Sequence, residues 1–513
     1  MKICAENCNF AALFVTIIGE KAPDEVKHEF DKYGIVMHCL ELAVVVAIMV
    51  VALSVFAAGD AIQVASAFTF AIALPLLVFR RSRHFSAWGE IFLLVAAVVM
   101  TMMAISHIWM VTEGVGRPLS LPLLQSDDNR YFNCAMYYYD GSVPEPKNSF
   151  PGFPLIMMVL WKVFGVSIVW PLAMNVMLTL LAFYYTGKTA ITLLEGKTNA
   201  RATTVMWLTL LMCCGLMFLM SQSARLLKEA LSYISIALVG YALALLARRS
   251  RLQWGGYAAF VVGCLIMALV RTTYIHFFFV GVIIVALGNI KRRWRPASAM
   301  LVIAVLAFVG GSSIAYYIIS PHVFFTRADL MNRSFAIDGM QQPYLLLISD
   351  YFSKPFYERV FYLPLTMSVQ YIIPFPWVYD KGEGVNVLEL FTRMRWMWYA
   401  VGGISLYYYL FISWHRGEGI GVWALWPAAV FAIVALLIGG TVSRYILPVE
   451  LLFVPQATFV ILKLREGYYR KSFVMWSIFY LVVLTSTLLV CHNVQTSYLN
   501  NLEDYYRRIE AGQ

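Results

Sequence analysis

The sequence predicts an all-α protein, a polytopic bundle of about thirteen membrane-spanning helices with two long outer loops that carry short interfacial helices. Three observations predict it. Hydrophobic residues make up 61% of the 513 positions and charged residues 13%, against about 25% charged in a soluble globular protein. Apolar runs approaching the roughly 20 residues that cross a bilayer core recur along the chain. Basic residues collect in every second connection between those runs. A mean hydropathy of +0.71 agrees. This composition excludes an ordinary soluble enzyme, a disordered chain and a collagen-like chain. The net charge of +10 reports cytoplasmic loops rather than a nucleic-acid partner.

In order, the predicted spans fall at 37–58, 62–80, 88–112, 167–194, 203–221, 226–247, 255–270, 273–289, 299–319, 396–413, 420–440, 443–463 and 472–491. The N-terminal 35 residues are polar and mixed, so no cleavable signal peptide is expected. No repeat or low-complexity linker interrupts the runs, so residues 1–513 read as a single transmembrane domain. With thirteen spans, Arg80-Arg81-Ser82-Arg83, Lys197 and Arg201, Arg248-Arg249-Ser250-Arg251, Lys291-Arg292-Arg293, Arg416, and Lys463, Arg465, Arg470 and Lys471 share one side. Lys and Arg mark the cytoplasmic side. The N-terminus is then cytoplasmic and the tail after Cys491 is outside. Two outer connections are long, 113–166 and 320–395. Phe150 to Trp161 is apolar but too short to span, and reads as a helix in the membrane surface.

Candidate chemistry gathers on the outer side. Asp127 and Asp128 follow the third span. Adjacent carboxylates repel, which raises one pKa and suits a general base; the plainer reading is an acidic turn beside Asn129. Ser223-Ala-Arg225-Leu-Leu-Lys228-Glu229 opens the sixth span. Arg225, Lys228 and Glu229 fall on or near one helical face at i, i+3, i+4. Two cations at a helix N-terminus make a place for a phosphate, or they snorkel to headgroups. Arg271 lies between two short spans, and Arg444 opens the twelfth. Ionisable residues at or inside a span are functional hypotheses by default, and Arg holds phosphate bidentately. Glu450, deeper in the twelfth span, has no evident partner in the sequence.

The eight cysteines show no CxxC pair or zinc spacing, and the eight histidines do not cluster. No Walker loop, GxGxxG, HExxH or GxSxG is present, so nucleotide and zinc-protease readings have no support.

With those residues in hand, the chain resembles the GT-C superfamily of polytopic glycosyltransferases, which includes protein O-mannosyltransferases and the aminoarabinose transferases of lipid A. The resemblance rests on a long outer loop with Asp127, Asp128 and then Tyr131, on Gly152-Phe-Pro-Leu155 ahead of a span, on Arg444-Tyr445-Ile-Leu-Pro448 opening a late span, and on a second large outer loop. In the family pattern the acidic loop usually follows the first span, whereas here it follows the third. The resemblance implies that Asp127 or Asp128 is the catalytic base. It implies that Arg225, Lys228, Arg271 and Arg444, with Glu229, Tyr131 and Tyr445 beside them, bind a polyprenyl-phosphate-linked sugar. No cofactor is expected; the use of a divalent cation differs among members. The acceptor would be a glycan, lipid or protein hydroxyl, the product inverted, and the compartment a bacterial inner membrane with a periplasmic active site. The rival readings are an envelope polysaccharide polymerase or ligase using undecaprenyl-linked substrates, and a lipid-linked sugar transporter or flippase.

Overall fold

A computed structural model of the chain describes residues 24–114, 116–124, 126–142, 152–248, 254–271, 274–287, 298–307, 309, 356–372, 395–413, 419–438 and 445–510. Helices dominate, and no strand occurs among the described residues. This is what an apolar environment demands, because a helix satisfies its backbone N–H and C=O groups within one segment.

The long helices are Asp24–Val55 (α1), Ala58–Arg80 (α2), Ala87–Val111 (α3), Val169–Leu194 (α6), Glu229–Arg248 (α9), Leu447–Arg465 (α17) and Arg470–Glu510 (α18). Short helices lie between them: Ser126–Tyr139 (α4), Gly152–Phe164 (α5), Ala202–Cys214 (α7), Met217–Ser223 (α8), Trp254–Val270 (α10), Ile275–Leu287 (α11), Ser298–Ala307 (α12), Phe356–Phe361 (α13), Leu363–Ile372 (α14), Trp396–Tyr407 (α15) and Leu425–Ile438 (α16). Each of the thirteen apolar runs carries helix in its described part. Among the described residues, seven helices are long and apolar enough to cross a membrane, or eight if one bent pair counts as a single span.

Four sequence expectations are corrected. The run at 203–221 is not one straight helix: α7 and α8 meet at 71°. The break falls at Gly215, where a Cβ would collide with Met397 of α15. The sixth span begins its helix at Glu229, so Arg225 and Lys228 stand on non-helical backbone at 224–228 instead of on a helical face. The first helix begins at Asp24, well ahead of its apolar run. The last helix continues past Cys491 to Glu510 instead of ending there. Most of the second long outer connection lies outside the described residues; α13, α14 and Arg395 are the described part of it.

The centre of the bundle is α6 against α9, with α17 alongside. The apolar windows of α9 and α17 are 89% and 83% buried, while those of α1 and α18 are 17% and 6% buried, so the first and last long helices are peripheral. Lipid tails are as apolar as leucine, so close helix approach depends on small residues and interhelical hydrogen bonds. Ser235 of α9 donates to the Gly263 carbonyl of α10 at 2.6 Å, and Trp426 of α16 donates to the Phe277 carbonyl of α11 at 2.8 Å. Ser86 caps α3 by accepting from the Gly89 N–H at 3.3 Å, which fixes where the third long helix starts. From there α3 runs about 30 Å to His107 and the polar end of the bundle.

α5 packs one face inward through Phe153, Met157 and Trp161. Gly152 sits so close to α10 that a Cβ there would strike the Leu269 carbonyl. The aromatic ring of Tyr131 on α4 meets Phe153 edge-on at 5.5 Å. This α4–α5 unit is what carries Asp128 onto the end of the bundle.

Candidate functional site

The site is assembled where α3 and α10 end and α4, α9, α11, α15 and α17 begin. Its first part is Asp128, in the first turn of α4, with a side chain only 3% exposed. Its Oδ2 lies 3.5 Å from the Arg225 guanidinium and 3.5 Å from His107 Nε2. Its Oδ1 is buried without a hydrogen-bond partner. Burial pushes this carboxyl up to about 6; Arg225 pulls it down, and Glu229 and Asp127 push it up. The neighbouring Asp127 is more open and lies 3.4 Å from Arg130 on the next helical turn. The acidic pair predicted from sequence therefore divides: one carboxylate faces inward into a cationic pocket, the other outward along its own helix.

Arg225 is placed by an element that sequence reasoning missed. Asn175 of α6 donates through Nδ2 to the carbonyls of Arg225 at 3.0 Å and Leu227 at 2.8 Å. A second tether joins Thr179 and Ser223 through their hydroxyls at 2.7 Å. These bonds satisfy backbone groups that a continuous helix would have satisfied itself, and they stabilise the irregular segment. The Arg225 side chain remains 42% exposed, so its guanidinium is open to a ligand.

Lys228 points the other way. Its Nζ donates to the Val270 carbonyl at the end of α10 at 3.2 Å and lies 5.8 Å from the centre of the Tyr131 ring. Just below it, Arg271 and Glu229 form a buried pair at 2.6 Å. The Arg271 guanidinium also lies 4.8 Å from the Tyr445 ring and 5.2 Å from the Tyr274 ring, and the Tyr274 hydroxyl donates to the Tyr445 carbonyl at 2.8 Å. This corrects the expectation for Arg271 and Glu229. Glu229 is not one wall of an anion site on a helical face; it compensates Arg271, whose charge is thereby committed inside the protein. Arg271 Nε and Glu229 Oε2 remain buried without hydrogen-bond partners.

Glu450 has a partner after all. It pairs with Arg395, which precedes α15 and is fully buried. The Arg395 guanidinium lies 5.5 Å from the Phe218 ring and 5.6 Å from the Trp398 ring. Arg444 lies outside the described residues.

The structure thus brings together Asp128, Arg225, Lys228, Glu229, Arg271, Tyr131 and Tyr445, and adds His107, Tyr274, Asn175 and Arg395. His107 and Asn175 carried a signal, since each is a lone polar residue within an apolar run. Among the described residues, no three His, Cys, Asp or Glu side chains are placed to hold a metal ion. Chemically, the arrangement offers a carboxylate poised to accept a proton, an open guanidinium beside it, and a second cation a few residues along the same segment. No known protein family, curated protein or solved structure matches the chain.

Proposed function

We propose that the protein is an integral-membrane glycosyltransferase of the GT-C type, moving a sugar from a polyprenyl-phosphate donor to an acceptor hydroxyl on the extracytoplasmic face. The observation that carries this reading is Asp128: a buried carboxylate with a raised pKa, one oxygen unpartnered, held between His107 and Arg225 at the polar end of the bundle. The basic connections at the other end then face the cytoplasm, with about thirteen crossings, in a bacterial inner membrane.

In this reading Asp128 takes the proton from the acceptor hydroxyl. The acceptor oxygen attacks the anomeric carbon as the bond from that carbon to the phosphate oxygen breaks, and the electron pair leaves with the phosphate. Attack opposite the leaving group inverts the centre. Phosphate is a good leaving group and needs no general acid; positive charge at Arg225, the open guanidinium beside Asp128, stabilises what develops on it. Arg271 holds Glu229 and the Tyr445 ring in place.

The test is transfer by the purified, reconstituted protein, offered a panel of polyprenyl-phosphate sugars and read by product mass. Single-sugar addition that is lost in Asp128→Asn supports the proposal. A whole repeat unit or chain in the product would assign the polymerase reading. Flux of donor without covalent change would assign a transporter and overturn it.

A further inference from the structure

At the opposite end of the bundle lies a cavity of about 450 Å³, within the size range of small-ligand pockets. It sits between α6, α7, α9 and the turn joining α2 to α3, and is lined by Arg83, His84, Lys188, Thr192, Glu195 and Tyr241 among others. None of these residues has a part in the proposed transfer.

Three features give it a consistent preference for negative charge. Lys188 is turned into the bundle: its Nζ lies 4.7 Å from the centre of the Tyr241 ring, 5.7 Å from Tyr184 and 5.8 Å from Tyr185. A lysine serving only as a headgroup anchor would extend outward along the helix; this one is fixed over aromatic faces, with a cavity beside it. Arg83 donates from Nε to His84 Nε2 at 3.0 Å, which holds that imidazole in its neutral form. Burial, then Arg83 and Lys188, lower His84 to about 4, so both cations are felt at the same place. Finally, α7 begins at the cavity, where Ala202 is part of the lining, and no side chain caps its first turn. Uncapped amide N–H groups at a helix start favour anions. Glu195 is the acidic member of the lining, and the adjoining end of α6 is met by Arg248, which donates to the Thr192 carbonyl at 3.4 Å and to that of Glu195.

We infer that this cavity binds a phosphate-bearing anion, held by Lys188, Arg83 and the first turn of α7. The phosphate is either the headgroup of an anionic membrane lipid or a soluble phosphate ester. The two sources share their recognition chemistry and differ in how they arrive.

Two probes separate them. The full-length protein is reconstituted in phosphatidylcholine discs with and without phosphatidylglycerol, and retained lipid is read by native mass spectrometry. Binding of glycerol 3-phosphate is measured on the phosphatidylcholine sample. Retention of phosphatidylglycerol alone assigns the lipid; binding of glycerol 3-phosphate assigns the soluble ester. Arg83→Gln and Lys188→Gln should each weaken whichever probe binds by about tenfold or more, the scale of one charge-assisted contact. Arg83 is exposed on a turn, so its variant tests the site even if Lys188→Gln disturbs helix packing. Failure of both probes to bind, or binding unchanged in Arg83→Gln, overturns the inference.

Discussion

Asp128→Asn is expected to abolish transfer while leaving the protein at least as stable. The two effects come from the same burial. Raising a carboxyl from 3.8 to about 6 corresponds to about 3 kcal/mol favouring the neutral form in the folded state. The folded pKa is above the unfolded one, so the ionised group costs stability. That cost is absent below about pH 4, grows between 4 and 6, and is full above 6. An amide carries no charge, so at pH 7 it escapes this cost. The attraction of Arg225 is already contained in that raised value, so the net change is at most about 3 kcal/mol in the stabilising direction. Transfer should fall by about 10²–10⁴, the usual contribution of a positioned base. The assay pairs thermal melting of the detergent-solubilised variant at pH 7 and pH 4.5 with product mass. A gain in melting temperature at pH 7 that shrinks at pH 4.5, together with lost transfer, fits. Full transfer activity in Asp128→Asn refutes the role of this residue, and strong destabilisation at pH 7 refutes the electrostatic account.

The activity of the native protein should rise with pH through about 6 as Asp128 ionises; because Arg225 holds that pKa down, Arg225→Gln should move the rising limb to higher pH, and an unmoved limb would show that another group titrates. Glu229→Gln leaves the Arg271 guanidinium buried and unpaired, which should cost about 3–5 kcal/mol in melting experiments, whereas Glu229→Met with Arg271→Met together should recover most of it; equal melting of the single variant and the native protein would refute the pairing. Asn175→Ala strips the hydrogen bonds from two backbone carbonyls and should cost about 2 kcal/mol, with transfer falling further than stability because Arg225 shifts; protease nicking at 224–228 is a second readout. Gly152→Ala drives a methyl into the Leu269 carbonyl, and the strain, about 1–3 kcal/mol, should loosen α5 from α10, visible as faster hydrogen exchange in both helices.

Much of the helical layout is legible because hydropathy is a one-dimensional property: each apolar run, from the one at 37 to the one at 472, carries helix in its described part. Length is not equally legible. The run at 203–221 contains no proline or charge to announce a break, yet it bends 71°, and what packs against the break at Gly215 is Met397, far along the chain. The acidic pair and the cations at 225, 228 and 271 can be found by looking for costly residues near span ends. Their assignments cannot. Which carboxylate faces inward depends on how α4 is rolled by the Tyr131–Phe153 contact, and which arginine is already spent on a carboxylate depends on α9 and α10 lying side by side. Arg395 and Glu450 are 55 positions apart, beyond any spacing rule, so their pairing emerges only in three dimensions.

The unwound stretch at 224–228 has a consequence for what surrounds it. Peptide groups that are not in a helix survive at the depth of a membrane only when protein or water receives their hydrogen bonds. Asn175 serves two of the carbonyls here, and Arg225 is open at the polar end of the bundle. A charged side chain as open as Arg225 needs water around it, so this shelf lies where the bundle is wetted and not sealed in lipid.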